Sequence, residues 1–389
     1  MIQDIIKNLE FPDDIADILP TKFELSRIQM TPTYLKEQYI NRGIPDLNRF
    51  DKTEFESISD YIKLNNIDIY KASATDGKNT LVENIIDVFF NKIYNVGGKR
   101  SYGYNNIETK LRRQVMEYVS TEVPILIVFP GYPFKIMNRL KTSSGKFDSA
   151  ELFSLMRLKS FANSIQEIYI PGCKILILLD GALYNSIFNI TETDVIEYRD
   201  QLIKHINILN ISDIVIVQDL KTVLLKDDKF VSYIYSANQK ILSYWKKHYN
   251  SLKVQLLIQS SLSNINLWDY DYSIYEELFG KNKQSANSQI IIQQSQRTAF
   301  TYMVIQLAIE EFALYEKLFT QYIRFTVHPK SAQVGIRLTR RNNYLLPWMS
   351  CGVVNDGHAT CRYFCDLSYK SHKIALIQGF PYPYGFISK

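Results

Sequence analysis

Three short apolar runs constrain the fold more than any other feature of this sequence. They cover residues 123–128, 175–179 and 211–217, and the segments between them carry apolar residues at helical spacing. Apolar strands that alternate with amphipathic helices form a parallel sheet with right-handed crossovers. We therefore predict an α/β fold with a Rossmann-like parallel sheet core flanked by helices.

The start of the first connecting helix can be read from its capping residues. Asp148 is followed three positions later by Glu151, the pattern of an N-cap with a reciprocal capping residue. The second connecting helix is predicted over residues 194–210, where apolar residues recur at helical spacing. Both helices fit the crossovers that a parallel sheet needs.

The loop at residues 129–138 follows the first apolar run. In an open α/β sheet, ligands bind beyond the carboxyl ends of the strands, where this loop is expected. Two prolines and a glycine stiffen it, so its polar side chains are held in fixed positions. Tyr132, Lys135 and Asn138 are therefore candidate site residues, although a plain turn with an exposed lysine has the same pattern.

Asp180 occupies the equivalent place after the second apolar run. A carboxylate there either caps a turn or helix, which is the commoner role of an Asp-Gly pair, or takes part in catalysis. We include Asp180 among the candidate catalytic residues.

Towards the C-terminus the pattern changes to strict alternation over residues 321–329 and 333–341. Arg324 and His328 would share one face of the first strand, and Arg337 would lie on the polar face of the second. Two arginines and a histidine would then lie together, unless this is simply the solvated face of a sheet. We expect a C-terminal antiparallel β section.

The N-terminal region reads differently from the remainder. Short helical patterns broken by prolines run to about residue 67 without a long strand signal. We therefore divide the chain into an α-rich accessory region, residues 1–70, and a catalytic domain, residues 71–389.

Charge and hydropathy restrict the class of partner. Forty-five basic and 40 acidic residues leave a net charge of +5 without a clustered basic block, so no nucleic-acid partner is expected. No run approaches the roughly 18 to 20 apolar residues of a membrane helix, and the first 14 residues alternate apolar and acidic positions. These features predict a cytoplasmic protein without a membrane partner.

Cysteine and histidine residues cluster near the C-terminus as C-x6-H-x2-C-x3-C-x6-H, beginning at Cys351 and ending at His372. The spacing lacks the C-x2-C pair typical of a structural zinc site, so packed cysteines are the favoured reading and no metal is expected. Elsewhere, His205 and His248 lie in lysine-rich helical stretches and are expected at the surface.

Taken together, these segments resemble the isocyanide (isonitrile) synthase family, the group that includes pyoverdine/dityrosine biosynthesis proteins. Its Gly-Phe-Pro-Phe-Lys-Ser-x-Asn loop resembles residues 131–138, and its acidic pair near a helix start is matched by Asp148 and Glu151. Four further matches follow in the family's order. The family's Asp-Gly-Arg resembles residues 180–182, and its helical tyrosine is matched by Tyr198. Its Arg-Leu-Ser-Ile-His-Pro resembles residues 324–329, and its Asp-Gly-Arg-Pro-Tyr resembles residues 378–382.

The sequence also departs from the family pattern at two places. Ala182 replaces the arginine after Asp-Gly, and Met349 replaces the histidine that ends the family's Thr-Pro-Trp-His, here Leu346-Pro347-Trp348-Met349. If either lost side chain contacts the substrate, the chain uses a different amino acid or is impaired.

The resemblance implies an enzyme that converts the α-amine of tyrosine or tryptophan to an isonitrile, with ribulose 5-phosphate as co-substrate and no metal or redox cofactor. Arg324 and Arg337 would bind the anionic groups, because guanidinium binds phosphate or carboxylate in bidentate fashion. His328 and Asp180 would move protons, and Lys135 would bind phosphate or act as a base. Asn138, Tyr132 and Trp348 would complete the substrate site.

Two other readings remain open on sequence alone. One is an inactive family member that binds a metabolite or a protein partner. The other is an unrelated phosphosugar-binding transferase on the same kind of sheet.

Overall fold

The computed structural model describes residues 2–9, 11, 31–67, 80–93, 104–280, 285–327, 333–339 and 345–389. The α-helices in these ranges are α1 (Ile2–Lys7), α2 (Thr31–Arg42), α3 (Ile58–Leu64), α4 (Leu81–Val88), α5 (Tyr104–Thr121), α6 (Ser149–Gln166), α7 (Gly181–Tyr184), α8 (Glu192–Ile208), α9 (Leu220–Leu224), α10 (Lys229–His248), α11 (Leu252–Leu262), α12 (Tyr272–Phe279), α13 (Ala286–Phe312) and α14 (Leu314–Leu318). None of the described helices is long and apolar enough to cross a membrane.

The strands form two sheets of five. They are β1 (Lys52–Phe55), β2 (Ile125–Pro130), β3 (Cys173–Leu179), β4 (Val215–Asp219), β5 (Ile323–Thr326), β6 (Val334–Gly335), β7 (Cys351–Asn355), β8 (His358–Arg362), β9 (His372–Ile377) and β10 (Gly385–Ser388). The first sheet has the order β4-β3-β2-β5-β6, and all its pairings are parallel. The predicted parallel core is therefore confirmed, although its third apolar run becomes a strand only from Val215 onward.

The second sheet has the order β1-β9-β10-β7-β8 and is mixed. The β7/β8 and β9/β10 pairs are antiparallel, as predicted for the C-terminal section, whereas β10/β7 and β1/β9 are parallel. The two strands predicted near Arg324 and Arg337 belong to the first sheet, which corrects the boundary of that section.

The N-terminal region contributes more than helices. Strand β1 pairs with β9 from Lys52 opposite Ile374 to Phe55 opposite Ile377, which the sequence did not indicate. The predicted boundary between residues 70 and 71 lies outside the described residues and stays a prediction.

Both faces of the parallel sheet are covered, so its central strands are apolar on both sides. Ile127 and Ile175 pack with α4 to α6 on one face. Val128 and Leu176 pack with α10 and α13 on the other face, where Arg324 also lies because it is the register partner of Val128. Burying each such aliphatic side chain contributes about 1.5–3 kcal/mol.

The predicted capping box of α6 is confirmed. Asp148 Oδ1 accepts a hydrogen bond from the Ala150 amide at 2.7 Å, and Glu151 Oε2 accepts one from the Asp148 amide at 3.1 Å. The box satisfies amides that a helix start leaves unpaired. It also places two carboxylates beside the loop that follows β2.

Candidate active site

The loop after β2 is held rigidly at Tyr132. Its φ of 55° is left-handed, an uncommon conformation for a residue with a bulky side chain. The hydroxyl of Tyr132 is 2.6 Å from Ser154 Oγ, and its ring centroid is 5.3 Å from that of Trp348. Tyr132 and Trp348 are thus packed in the interior, where they support the loop. Backbone strain of this kind persists where packing determines the conformation, as it commonly does at functional sites.

Lys135 is enclosed by oxygen atoms. Its side chain is 1% exposed, and its Nζ lies 3.1 and 3.0 Å from the two oxygens of Glu151 and 3.1 Å from Asp148 Oδ1. The carbonyl oxygen of Pro347 accepts a further hydrogen bond at 3.0 Å. All three donors of the ammonium are therefore engaged. We call Lys135, Asp148, Glu151 and Tyr198 the Lys135 cluster.

The Lys135 cluster has two buried carboxyl groups and one ammonium. Burial raises the pKa of Asp148 and of Glu151 despite the opposing effect of Lys135. Burial alone would lower the pKa of Lys135, but the two carboxylates raise it overall, so the ammonium stays protonated. The arrangement does not suit Lys135 to be a base. It favours instead the two carboxyl groups as proton carriers, because burial raises the pKa of both.

The cluster reaches a pocket through Tyr198. The Tyr198 hydroxyl donates to Glu151 Oε1 at 3.2 Å, and both Tyr198 and Lys135 line the pocket. At its mouth, Lys146 Nζ lies 3.0 Å from Asp194 and 2.8 Å from Glu197. Phe134, Met137 and Phe147 add apolar walls. The pocket thus combines apolar surface with a polar end that leads to the buried carboxyl of Glu151.

A glycine of the second sheet brings the start of α6 into place. An added Cβ at Gly352 would lie 2.1 Å from Ser149 Oγ and 2.4 Å from the Ala150 amide nitrogen, so only glycine fits. The Gly352 amide also donates to Asp148 Oδ1 at 3.3 Å. The Lys135 cluster is therefore built where the two sheets meet.

Asp180 follows β3 but does not cap the helix it precedes. Its side chain makes no capping hydrogen bond to α7, and its Oδ1 is enclosed without a hydrogen-bond partner among the described residues. Burial, together with the carboxylate of Asp219, raises the pKa of Asp180 to about 7. The turn role that is common for Asp-Gly does not account for this side chain.

Arg324 lies on the β5 edge of the same region. Its guanidinium carbon is 3.4 Å from the centroid of the Tyr315 ring. Its Nε is buried and has no hydrogen-bond partner among the described residues. Arg324 thus keeps hydrogen-bonding capacity for an anion.

The other predicted site residues have different surroundings. Asn138 is buried, accepts from the Leu140 amide at 2.9 Å and donates to the Ser263 carbonyl at 3.2 Å, so it shapes the turn. Arg337 is also buried, and its amide donates to the Ile93 carbonyl at 2.8 Å. His328 lies outside the described residues, and its role stays a prediction.

His205 was expected at the surface, and that expectation is wrong. Its ring is buried, with Nε2 2.7 Å from the Tyr384 hydroxyl and Nδ1 2.7 Å from the Gln201 carbonyl. Burial lowers the pKa of His205 to about 4. His205 belongs to the buried face of α8, which it shares with Tyr198, Leu202 and Ile206.

The cysteines of the C-terminal cluster are buried with free thiols. Within the described ranges, no group of three or more histidine, cysteine or acidic side chains is arranged to hold a metal ion.

Sequence reasoning missed the Pro347 carbonyl, because a backbone group leaves no signal in side-chain patterns. It also missed Lys141, whose buried ammonium is held by the neutral acceptors Ser263 Oγ, at 3.0 Å, and Asn264. Burial lowers the pKa of Lys141 to about 7. An Asn-x-x-Lys turn signal could have drawn attention to it, but only tertiary packing shows its burial.

The fold and site define an α/β protein with acid-base groups beyond the carboxyl ends of its parallel strands. Residues 115–375 match the family model for the pyoverdine/dityrosine biosynthesis proteins, and the chain belongs to that family.

Curated relatives in this family carry enzymatic names. An L-tyrosine isonitrile synthase of Xenorhabdus nematophila is 24% identical over 302 residues, which are 73% of this chain and 84% of the relative. L-tryptophan isonitrile synthase AmbI1 of Fischerella ambigua is 24% identical over 248 residues, 62% of this chain and 74% of the relative. The crystal structure of PvcA from Pseudomonas aeruginosa covers 80% of this chain and 100% of its own with a TM-score of 0.64, at 18% identity, which shows the same fold.

Proposed function

We propose that this protein is an isonitrile synthase that acts on the α-amine of an aromatic L-amino acid, tyrosine or tryptophan. Ribulose 5-phosphate is its co-substrate, and the ketone carbon of the sugar becomes the isonitrile carbon. The names of the relatives support the reaction class, and both tyrosine and tryptophan enzymes occur among them. No cofactor enters this proposal.

The observation that carries the proposal is the pair of buried carboxyl groups, Asp148 and Glu151, next to a pocket. Attack of an amine on a ketone, loss of water and cleavage of the sugar skeleton each require a proton to move at a fixed place. In this proposal Glu151 exchanges a proton with the pocket through the Tyr198 hydroxyl, 3.2 Å away. Lys135 acts electrostatically, because it holds both carboxylates in position and stays charged itself.

The direct test is incubation of the purified protein with L-tyrosine or L-tryptophan and ribulose 5-phosphate. The expected product is an isonitrile, detected by infrared absorption and mass, together with released phosphate. Phosphate without isonitrile would contradict the proposal in favour of a phosphosugar-binding transferase. Release of neither, from folded protein with both amino acids, would favour an inactive family member.

The role of Glu151 is tested by Glu151→Gln. Glutamine keeps the size of the side chain but cannot exchange a carboxyl proton, so we expect turnover to fall by about 10²-fold or more. Glu167→Gln is the matched control, because it makes the same change at the exposed C-terminal end of the same helix. Equal turnover in the two variants would remove Glu151 from the reaction.

A further inference from the structure

The fold encloses the Asp180 carboxylate but gives it no structural role that we can identify among the described residues. Asp180 stands at the carboxyl end of β3, it caps no helix, and its Oδ1 has no hydrogen-bond partner among the described residues. An enclosed polar group without a partner costs folding free energy. Such a cost at a strand end, where α/β proteins bind ligands, indicates a group that binds a ligand.

The Asp180 carboxylate acts electrostatically on three tyrosines from three helices. Tyr184 of α7 and Tyr302 of α13 contact each other with ring centroids 5.4 Å apart, and Tyr315 comes from α14. Burial raises the pKa of each phenol, and the nearby Asp180 carboxylate raises each of them further. A carboxylate close enough to influence three tyrosines suits a cation, because carboxylates and aromatic rings both attract positive charge.

Arg324 adds the opposite charge beside Tyr315. Its guanidinium stacks 3.4 Å from the ring centroid, and its Nε is unpartnered. The described structure has no ion pair between Arg324 and Asp180, so neither charge neutralises the other directly. Asp180, Tyr302, Tyr315 and Arg324 each retain partial exposure as residues, which leaves the region accessible from solvent.

We propose that Asp180 and the rings of Tyr184, Tyr302 and Tyr315 bind the ammonium group of an aromatic amino acid, and that Arg324 binds its carboxylate. The ligand class is a zwitterion, because Asp180 Oδ1 and Arg324 Nε, on side chains of opposite charge, both lack a hydrogen-bond partner among the described residues. We call these five residues the Asp180 cage.

The Asp180 cage adjoins the Lys135 cluster through the loop after β2. Gly181 lies so close to the Pro133 carbonyl that an added Cβ would be 1.8 Å from its oxygen, and Lys135 follows two residues later. The proposed amino-acid site, the Asp180 cage, is thus a neighbour of the proposed proton-transfer site, the Lys135 cluster. The identity of the ligand as the amino-acid reactant rests on the proposed function, whereas the ammonium site itself does not.

The test is calorimetric binding to the full-length protein without any phosphosugar. The probes are L-tyrosine, tyramine, which lacks the carboxylate, and 3-(4-hydroxyphenyl)propanoate, which lacks the ammonium. We expect the two amines to bind the wild-type protein and the propanoate to bind at least about tenfold more weakly. Propanoate affinity equal to that of tyramine would overturn the ammonium site.

Asp180→Asn should weaken tyramine binding by about tenfold or more, because asparagine keeps the shape but removes the charge. The control is Asp213→Asn, the same change at an exposed position beyond the amino end of β4. Tyr302→Leu should also weaken tyramine binding while Tyr302→Phe keeps most of it, since the aromatic face is what contributes. Unchanged binding in Asp180→Asn, or equal effects of leucine and phenylalanine, would refute the cage.

These measurements separate the inference from the proposed function. Tyramine binding that depends on Asp180, in a protein that forms no isonitrile, would support the cage and contradict the activity. If the protein forms an isonitrile but its affinity for tyramine is unchanged in Asp180→Asn, the activity is supported and the cage is refuted.

Discussion

Lys135→Met tests the electrostatics of the Lys135 cluster directly. Methionine has a similar length, so the variant removes the charge and three donors with little change in volume. Asp148 and Glu151 are then left buried, with side chains 1% and 0% exposed, and without the cation that pairs with both of them. Breaking a buried ion pair in this way costs about 3–5 kcal/mol.

The size of this loss should depend on pH. In the variant, burial and mutual repulsion keep the folded-state pKa of both carboxyls above the unfolded values, which lie near 4. The folded state then binds more protons than the unfolded state, so its stability falls as pH rises above that range. We therefore expect the variant to differ from wild type far more at pH 8 than at pH 5.

Urea unfolding followed by circular dichroism at the two pH values measures this difference. Lys240→Met is the control, because Lys240 makes an exposed ion pair with Glu311 at 2.7 Å, and such pairs contribute about 0–1 kcal/mol. Adding Glu151→Gln to Lys135→Met should recover part of the loss by removing one of the two carboxylates. A Lys135→Met variant that loses no more stability than the control at pH 8 would refute the charged cluster.

Other substitutions test individual structural features. Because the folded-state pKa of His205, about 4, lies below its unfolded value, wild type should lose about 3 kcal/mol as pH falls from 6.5 to 4, and His205→Gln should lack this loss in acid unfolding curves. Gly181→Ala should cost about 1–3 kcal/mol and lower both turnover and amine binding, since its Cβ would displace the Pro133 carbonyl. The pKa of Lys141, about 7, lies below the unfolded value for lysine, so wild type should gain stability between pH 7 and 10 in denaturant titrations, whereas Lys141→Met should not.

Local patterns predicted the elements around the site. Periodicity identified β2 and β3, and the spacing of Asp148 and Glu151 identified the start of α6, because both signals arise from neighbours in sequence. Alternation in β5 correctly set Arg324 opposite Ile323, since successive strand residues face opposite sides.

The partners of those residues could not be predicted in the same way. Lys135 meets the Pro347 carbonyl across 212 residues of sequence, and no pattern encodes a backbone acceptor. The sequence grouped Lys135, Asp180 and Arg324 as one site, whereas in the structure Lys135 pairs with the start of α6 and Arg324 stacks on Tyr315. The direction in which each loop turns depends on how the two sheets and their helices pack together. This packing is a tertiary property, and the residue pattern of a single strand does not predict it.

The two polar regions differ in how far their hydrogen bonds are satisfied, and this difference assigns their roles. The ammonium of Lys135 already has its full set of acceptors, so binding a phosphate there would mean breaking buried charge pairs. A satisfied cluster of this kind serves as a preorganised electrostatic and proton-holding unit. Asp180 Oδ1 and Arg324 Nε, by contrast, have no hydrogen-bond partner among the described residues, so both can still bind a ligand. On the proposed function, we therefore assign ligand binding to the Asp180 cage and proton transfer to the Lys135 cluster.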